Sequence, residues 1–165
     1  VKDSIASFAI ENNVDLIIAT PPCQGLSWAG ANKNLEALLG DKRNFLVLNA
    51  IDIIDRVMPN YVLIENVPRF AEMLFPYEGM LVSLKLLLQS KYGEDYNLDV
   101  QVLNAADYGV PQYRQRIVFR MWRKGLTWEL PQPEEHVSLR DAIGNLQMFL
   151  FFIVPRNRFD EFIIA

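Results

Sequence analysis

The sequence predicts an α/β domain built on a mostly parallel sheet with flanking helices. Short apolar, β-branched runs alternate with segments of helical spacing, and polar loops join them. The chain has 165 residues, 51% of them hydrophobic, which is enough to bury a substantial core without metals or disulfides. In sheets of this kind a ligand binds beyond the carboxyl ends of the strands, so residues that follow a strand are the first candidates for function.

The first half of the chain predicts two helices and two strands in alternation. Helical spacing of apolar residues stops at Asn12-Asn13, and the β-branched run that follows stops at Pro21-Pro22. A second helical pattern stops at Pro59, which cannot continue a helix. The polar stretch 25–43 is predicted to be a long loop, and loops of this length usually have a function. We therefore expect a helix over 5–13, a strand over 14–20, a helix over 44–58 and a strand over 61–64.

The second half predicts one long helix, two strands and a short final helix. Ser138, with Asp141 three residues later, has the spacing of a capping box that opens a helix. We expect a helix over 80–92, strands over 98–103 and 117–122, and a helix from Ser138 to Leu146.

Composition excludes several classes of protein. A net charge of −4, from 16 basic and 20 acidic residues, excludes a polybasic protein and a long acidic tail. One cysteine and one histidine cannot form an internal disulfide or a Cys-rich zinc site. The longest apolar stretch, 148–154, is far shorter than the ~20 residues that cross a bilayer. We expect a cytoplasmic protein with no membrane partner, whose first residue, not a Met, lies inside a longer gene product.

A cysteine follows the first predicted strand, in Pro21-Pro22-Cys23-Gln24-Gly25. A thiol on a strand-to-loop turn faces a cleft among backbone amides, and these surroundings favour the nucleophilic thiolate. The alternative is a small buried hydrophobic residue, which is the usual role of a free cysteine. Flanking prolines and a long polar loop favour the exposed nucleophile.

An acid follows the second predicted strand, in Glu65-Asn66-Val67-Pro68. A carboxylate at the end of a hydrophobic strand is costly to bury unless it is paired. A carboxylic acid held in such a place can donate a proton to a ring nitrogen. The alternative is an ordinary solvent-facing acid before an Asn-Val-Pro turn.

The third motif is Gln112-Tyr113-Arg114-Gln115-Arg116. On an extended segment, residues two apart face the same side, so Gln112, Arg114 and Arg116 are expected to point together. Residues 107–124 hold five basic residues against one acidic, the only basic concentration in an acidic chain. Such a concentration can mark a nucleic-acid surface. The alternative is a solvated strand edge with protective arginines.

In this order, the three motifs resemble those of the cytosine carbon-5 DNA methyltransferases. The carrying residues are Pro22-Cys23-Gln24, Glu65-Asn66-Val67 and Gln112-x-Arg114-x-Arg116. Arg43-Asn44-x-Leu46 and the run from Val102 to Gln112 match as well. The resemblance covers residues 1–147, read as the catalytic-loop half of a methyltransferase domain with a partial Rossmann-like sheet. Residues 148–165 form an unassigned tail.

The resemblance implies a reaction on a cytosine that has been flipped out of double-stranded DNA. Cys23 would attack ring carbon 6, and Glu65 would hold the ring nitrogen and supply a proton. Arg116 would bind the cytosine carbonyl oxygen, while Arg114 positions the catalytic loop. The methyl group would come from S-adenosylmethionine, with Pro22 and Leu46 at the cofactor. The residues expected to contact DNA are Gln24, Ser27, Arg43, Asn66 and Gln112.

The resemblance also has gaps. The family's Phe-x-Gly-x-Gly cofactor turn is not found, because no two glycines of this sequence lie two residues apart. A companion segment or subunit is therefore an expected partner. Three alternatives stay open: a catalytically silent binding fragment, an RNA-directed relative, and a cysteine hydrolase. The hydrolase would need His136 as its base, and His136 is expected in a solvated loop.

Overall fold

The computed structural model describes residues 1–22 and 45–144, and these contain four helices and six strands. The helices are α1 (Lys2–Glu11), α2 (Val47–Val57), α3 (Leu84–Tyr92) and α4 (Leu139–Ile143). The strands are β1 (Leu16–Ala19), β2 (Tyr61–Asn66), β3 (Leu74–Tyr77), β4 (Met80–Ser83), β5 (Tyr96–Asn104) and β6 (Gln115–Arg123). Short 3-10 turns follow β2 and β5, at Pro68–Glu72 and Ala105–Tyr108.

The main sheet has the strand order β1-β2-β6-β5. The pair β1–β2 is parallel, whereas β6 is antiparallel to both of its neighbours. The α/β class is thus confirmed, but the sheet is mixed, and the expectation of mostly parallel pairing is wrong. Residues 105–114 join β5 to β6 directly, and so short a link without a helix cannot make the crossover that parallel pairing requires.

Three of these four strands nevertheless run in the same direction, because β5 and β2 are both antiparallel to β6. The carboxyl ends of β1, β2 and β5 therefore meet at one edge of the sheet, called here the carboxyl edge. The amino end of β6 lies at the same edge. Motifs that are far apart in sequence converge there.

One face of the sheet is covered by α2 and carries the core. The buried residues of α2 recur with helical spacing, and those of β2 and β6 alternate along each strand. They belong to a single hydrophobic cluster, whose members from these elements include Val47, Ile51, Ile54, Val62, Ile64, Ile117, Phe119 and Met121. Helix α1 packs on α2 and buries Ala6 and Ala9.

The opposite face holds a buried arginine. Arg120 is 6% exposed and donates to the Asp99 carboxylate on β5, with its Nη2 2.5 Å from Asp99 Oδ2. Its guanidinium lies 5.6 and 5.5 Å from the ring centroids of Trp122 and Trp128 and also donates to the Trp128 carbonyl. Arg123 donates to the carbonyl of Met58. These two basic residues therefore make their contacts within the fold.

The helix expected over 80–92 is only partly correct. Residues Met80–Ser83 form β4, which pairs with β3 as a hairpin, and α3 begins at Leu84. Glu78 and Gly79 have φ angles of 49° and 77°, the left-handed values that a tight hairpin turn needs. The Ser83 hydroxyl then caps α3 by accepting from the Leu86 amide.

The other expected elements are confirmed to within a few residues. The capping box of Ser138 and Asp141 is present, and α4 ends at Ile143. The expected end at Leu146, the loop 25–43 and the tail 148–165 lie outside the described residues. Among the residues that are described, no helix is long and apolar enough to cross a membrane.

Candidate active site

The carboxyl edge brings Glu65 and Arg116 into direct contact. Arg116 Nε forms an ion pair with Glu65 Oε1 at 2.7 Å, and the two side chains are 26% and 30% exposed. Glu65 faces Val118 in the register of β2 and β6, so Arg116 lies two residues nearer the edge on the same face. The acid at the end of the hydrophobic strand is therefore paired, yet its carboxylate still reaches solvent.

Asn66 joins the ends of β1 and β2. Its side chain is 3% exposed, its Nδ2 donates to the Pro21 carbonyl at 3.0 Å, and its Oδ1 accepts from the Val67 amide at 2.9 Å. Pro21 and Pro22 immediately precede Cys23 in the chain. Asn66 thus fixes the point at which the chain leaves β1 toward the cysteine, and this burial does not support the predicted contact of Asn66 with DNA.

Arg114 is anchored through its backbone and exposed through its side chain. Its amide donates to Asn104 Oδ1 at 3.0 Å, and its carbonyl accepts from the Ala105 amide at 3.0 Å. The expectation that Gln112, Arg114 and Arg116 share one side of an extended strand is not met, because β6 begins only at Gln115. Gln112 lies in a bend before the strand and is exposed there.

The two residues expected at the cofactor also lie at the carboxyl edge. Pro22 follows β1 and is exposed. Leu46 comes directly before α2 and is 38% exposed. Helix α2 leads the chain back to the amino end of β2, so its first residues lie near the carboxyl edge. Cys23, Gln24, Ser27 and Arg43 lie outside the described residues.

The structure adds contacts for His136 that the sequence did not predict. His136 is half exposed, but its Nε2 lies 2.8 Å from Asp107 Oδ1, and its Nδ1 lies 3.5 Å from the Tyr113 hydroxyl. No spacing rule connects residues 29 positions apart, so the only available signal was the proximity of Asp107 and Tyr113 to the arginine motif. Within residues 1–22 and 45–144, no cluster of His, Cys, Asp and Glu is suited to hold a metal ion.

The mixed sheet with its inverted strand β6 has the fold of the Rossmann-like methyltransferases. Solved structures agree with this assignment. A methyltransferase assigned to DNA modification and encoded within an E. coli prophage aligns with a TM-score of 0.59 and 28% identity, over 86% of this chain and 38% of its own. The Entamoeba histolytica methyltransferase EhMeth shares the fold, with a TM-score of 0.55 and 23% identity, over 82% of this chain and 39% of its own.

The family follows from the sequence comparisons. The model of the C-5 cytosine-specific DNA methylase family matches residues 2–150, and the chain belongs to this family. The Type II methyltransferase M1.HgaI of Avibacterium volantium is 40% identical, over 88% of this chain and 41% of its own length. M1.HphI of Haemophilus parahaemolyticus is 34% identical, over 87% of this chain and 37% of its own length. The chain thus spans about 40% of the length of these relatives.

Proposed function

We propose that this chain carries the catalytic centre of a DNA cytosine-5 methyltransferase that acts on a cytosine flipped out of double-stranded DNA. The observation that carries the proposal is the contact of Glu65 with Arg116, 2.7 Å long, beside the buried Asn66. Asn66 holds the Pro21 carbonyl two residues before Cys23. An acid and an arginine therefore come from separate segments of the chain to one edge of the sheet, and β1 ends at that edge shortly before Cys23 in the sequence.

Each of the three residues has a defined step in this reaction. The Cys23 thiolate adds to ring carbon 6, and Glu65 supplies a proton to ring nitrogen 3, so that carbon 5 becomes nucleophilic. Arg116 donates to the cytosine carbonyl oxygen and keeps the Glu65 carboxyl group in place through their shared contact. Once carbon 5 is methylated, loss of its proton to a base, departure of the Cys23 thiolate and return of the nitrogen-3 proton to Glu65 restore the ring double bond.

The methyl donor is S-adenosylmethionine, which supplies an electrophilic methyl carbon. Pro22 and Leu46 are suited to hold it, because both expose apolar surface at the carboxyl edge, where sheets of this type bind ligands. An exposed Leu directly before α2 has no packing role in the described core, and a bound adenosine or methionine group would cover it.

Double-stranded DNA is the proposed substrate, since a base must leave the stack before the cysteine can reach it. Gln24, Ser27 and Arg43 are the proposed contacts from the segment that follows β1. Gln112 is exposed beside Arg114 and is available for such a contact. Asn66 acts instead as a positioning residue.

The test is covalent trapping on a duplex that contains 5-fluorocytosine, in a chimera where this chain replaces the matching part of M1.HgaI. Fluorine at carbon 5 cannot leave as a proton does, so the adduct persists in the presence of S-adenosylmethionine. We expect a gel-stable complex that Cys23→Ser abolishes and that transfer RNA with the same modified base does not form.

Unmodified M1.HgaI is the positive control for the trapping reaction. A chimera that folds and binds DNA but forms no adduct would favour the silent binding fragment. An adduct that persists in Cys23→Ser would overturn the assignment of the nucleophile.

A further inference from the structure

We propose that His136 is a positioning residue for the arginine motif, and that it acts by holding the loop of residues 105–113. This loop, called here the arginine loop, runs from the end of β5 to Arg114. The segment 134–136, which lies downstream of β6, is called here the strap. The inference rests on the proposed function, because it concerns how Arg114 and Arg116 are held for the reaction.

The arginine loop is closed at its base by backbone and side-chain bonds. The Ala105 amide donates to the Arg114 carbonyl at 3.0 Å, and Asn104 Oδ1 accepts from the Arg114 amide at 3.0 Å. Gly109 has a φ of 73°, a left-handed value that lets the loop turn back after its 3-10 turn. The loop therefore ends at the backbone that carries Arg114, two residues before Arg116.

The strap fixes the loop at Asp107. The Glu134 amide donates to the Asp107 carbonyl at 2.8 Å, and His136 Nε2 lies 2.8 Å from Asp107 Oδ1. The His136 ring also meets the Tyr113 ring edge to face, with centroids 5.8 Å apart and planes at 86°. One imidazole thus contacts the loop near its start, at Asp107, and near its end, next to Arg114.

A cavity lies beside the contact at His136. This cavity has a volume of about 410 Å³, and it is lined from the loop by Ala106 and Pro111 and from the other side by Val137 and Leu139. The strap is attached to the loop by the bonds to Asp107, by the ring contact with Tyr113 and by the Glu134 carboxylate, which lies against Gly109. Removing the imidazole should leave the loop joined to the strap only through Glu134, by its amide and its side chain.

A matched pair of amides tests this arrangement in the chimera described above. In His136→Gln the side-chain nitrogen can occupy the position of the imidazole Nε2 and donate to Asp107, whereas in His136→Asn it is too short to do so. We expect His136→Asn to lower the single-turnover rate of methyl transfer at saturating DNA about tenfold. His136→Gln should stay within threefold of the parent, and DNA affinity should change less than twofold in both.

Two further measurements make the outcome decisive. In an Arg116→Lys background, His136→Asn should cause little additional loss of rate, because both changes act on the same group. The exposed neighbour Glu135 provides the control Glu135→Gln, which should leave the rate unchanged. Equal rates for the Asn and Gln variants, or losses that multiply with Arg116→Lys, would overturn the proposal. An intact Cys23-dependent adduct in the parent chimera would show that the proposed function survives that result.

Discussion

Arg116 Nε lies 2.7 Å from Glu65 Oε1, and this contact joins the ends of two strands that run in opposite directions. Because β6 is inverted relative to β2, the second residue of β6 reaches the place where β2 ends. An arginine near the start of one strand and an acid near the end of another thereby share one site. A parallel neighbour in the position of β6 would have carried its first residues to the far edge of the sheet.

Arg116→Lys is expected to lower turnover more than DNA binding. Lysine cannot reproduce the planar fork of guanidinium donors, so the charged hydrogen bond to the reacting base is lost. Such a bond contributes about 1.5–3 kcal/mol, and about 1.36 kcal/mol corresponds to a tenfold rate. Single-turnover methylation should therefore slow roughly ten- to a hundredfold. Arg140→Lys, at an exposed arginine of α4, is the matched control, and an unchanged rate for Arg116→Lys would make Arg116 a structural residue.

Asn66→Ala is expected to destabilise the fold through the two backbone groups that it leaves unpaired. The Pro21 carbonyl and the Val67 amide each lose their side-chain partner in a partly buried place, at a cost of about 1–3 kcal/mol for an unsatisfied group. The comparison is Asn60→Ala, which removes a similar link, to Asp15, at an exposed position. Urea unfolding should show a loss of less than about 1 kcal/mol there. Equal losses would contradict a special role for Asn66.

Asp99→Ala is expected to be more destabilising than the double variant Asp99→Ala/Arg120→Met. Removing the carboxylate alone leaves the buried Arg120 guanidinium without its charged partner, which costs about 3 kcal/mol. Methionine at position 120 is apolar and of similar length, so it removes the uncompensated charge. Denaturant titration of both variants measures the difference. A double variant with a lower free energy of unfolding than Asp99→Ala would refute the argument.

Stability should fall as the pH rises above about 10, and Tyr92 should be a main cause. Burial, together with a hydrogen bond to Asp55 at 2.6 Å, raises the pKa of Tyr92 in the folded chain well above its ordinary value of 10.0. The unfolded chain then releases its proton first, so the stabilisation is complete below pH 10 and is lost above it. Burial raises the pKa of Tyr96 in the same direction.

The check is the free energy of unfolding at pH 8, 10 and 11 for the parent and for Tyr92→Phe. The variant should lose less stability between pH 10 and 11 than the parent does. Part of the pH dependence should remain in the variant, because Tyr96 is still present. Identical slopes would show that Tyr92 ionises equally well in both states of the chain.

Local sequence patterns were sufficient to predict most of the helices and strands. Proline ended the helix at Pro59 and the strand before Pro21, and the capping box opened α4 where it was expected. The pattern failed at Met80–Ser83, because apolar residues that continue into a helix give no sign of the left-handed turn at Glu78 and Gly79. Two residues with positive φ decide that segment, and only one of them is a glycine.

The site was predictable in its residue types but not in its contacts. The order of the motifs indicated Glu65 and Arg116, whereas the bond from Asn66 to Pro21 spans 45 positions and follows no periodicity. The charge count also grouped Arg120 and Arg123 with the arginine motif, because a count along the sequence takes no account of strand direction. Strand β6 leads away from the carboxyl edge, so Arg120 and Arg123 end up far from the motif and pair with Asp99 and the Met58 carbonyl.

The alternation of core-facing and outward-facing residues along β6 limits which insertions and deletions this protein can tolerate. Its odd-numbered residues Ile117, Phe119 and Met121 fill the core, while Arg116 and Arg120 occupy the other face. Deleting one residue within the strand would exchange the two faces, burying charges and separating Arg116 from Glu65 at once. Insertions and deletions in a family with this arrangement should therefore collect in the segment after Arg123, and strand β6 should keep a fixed length.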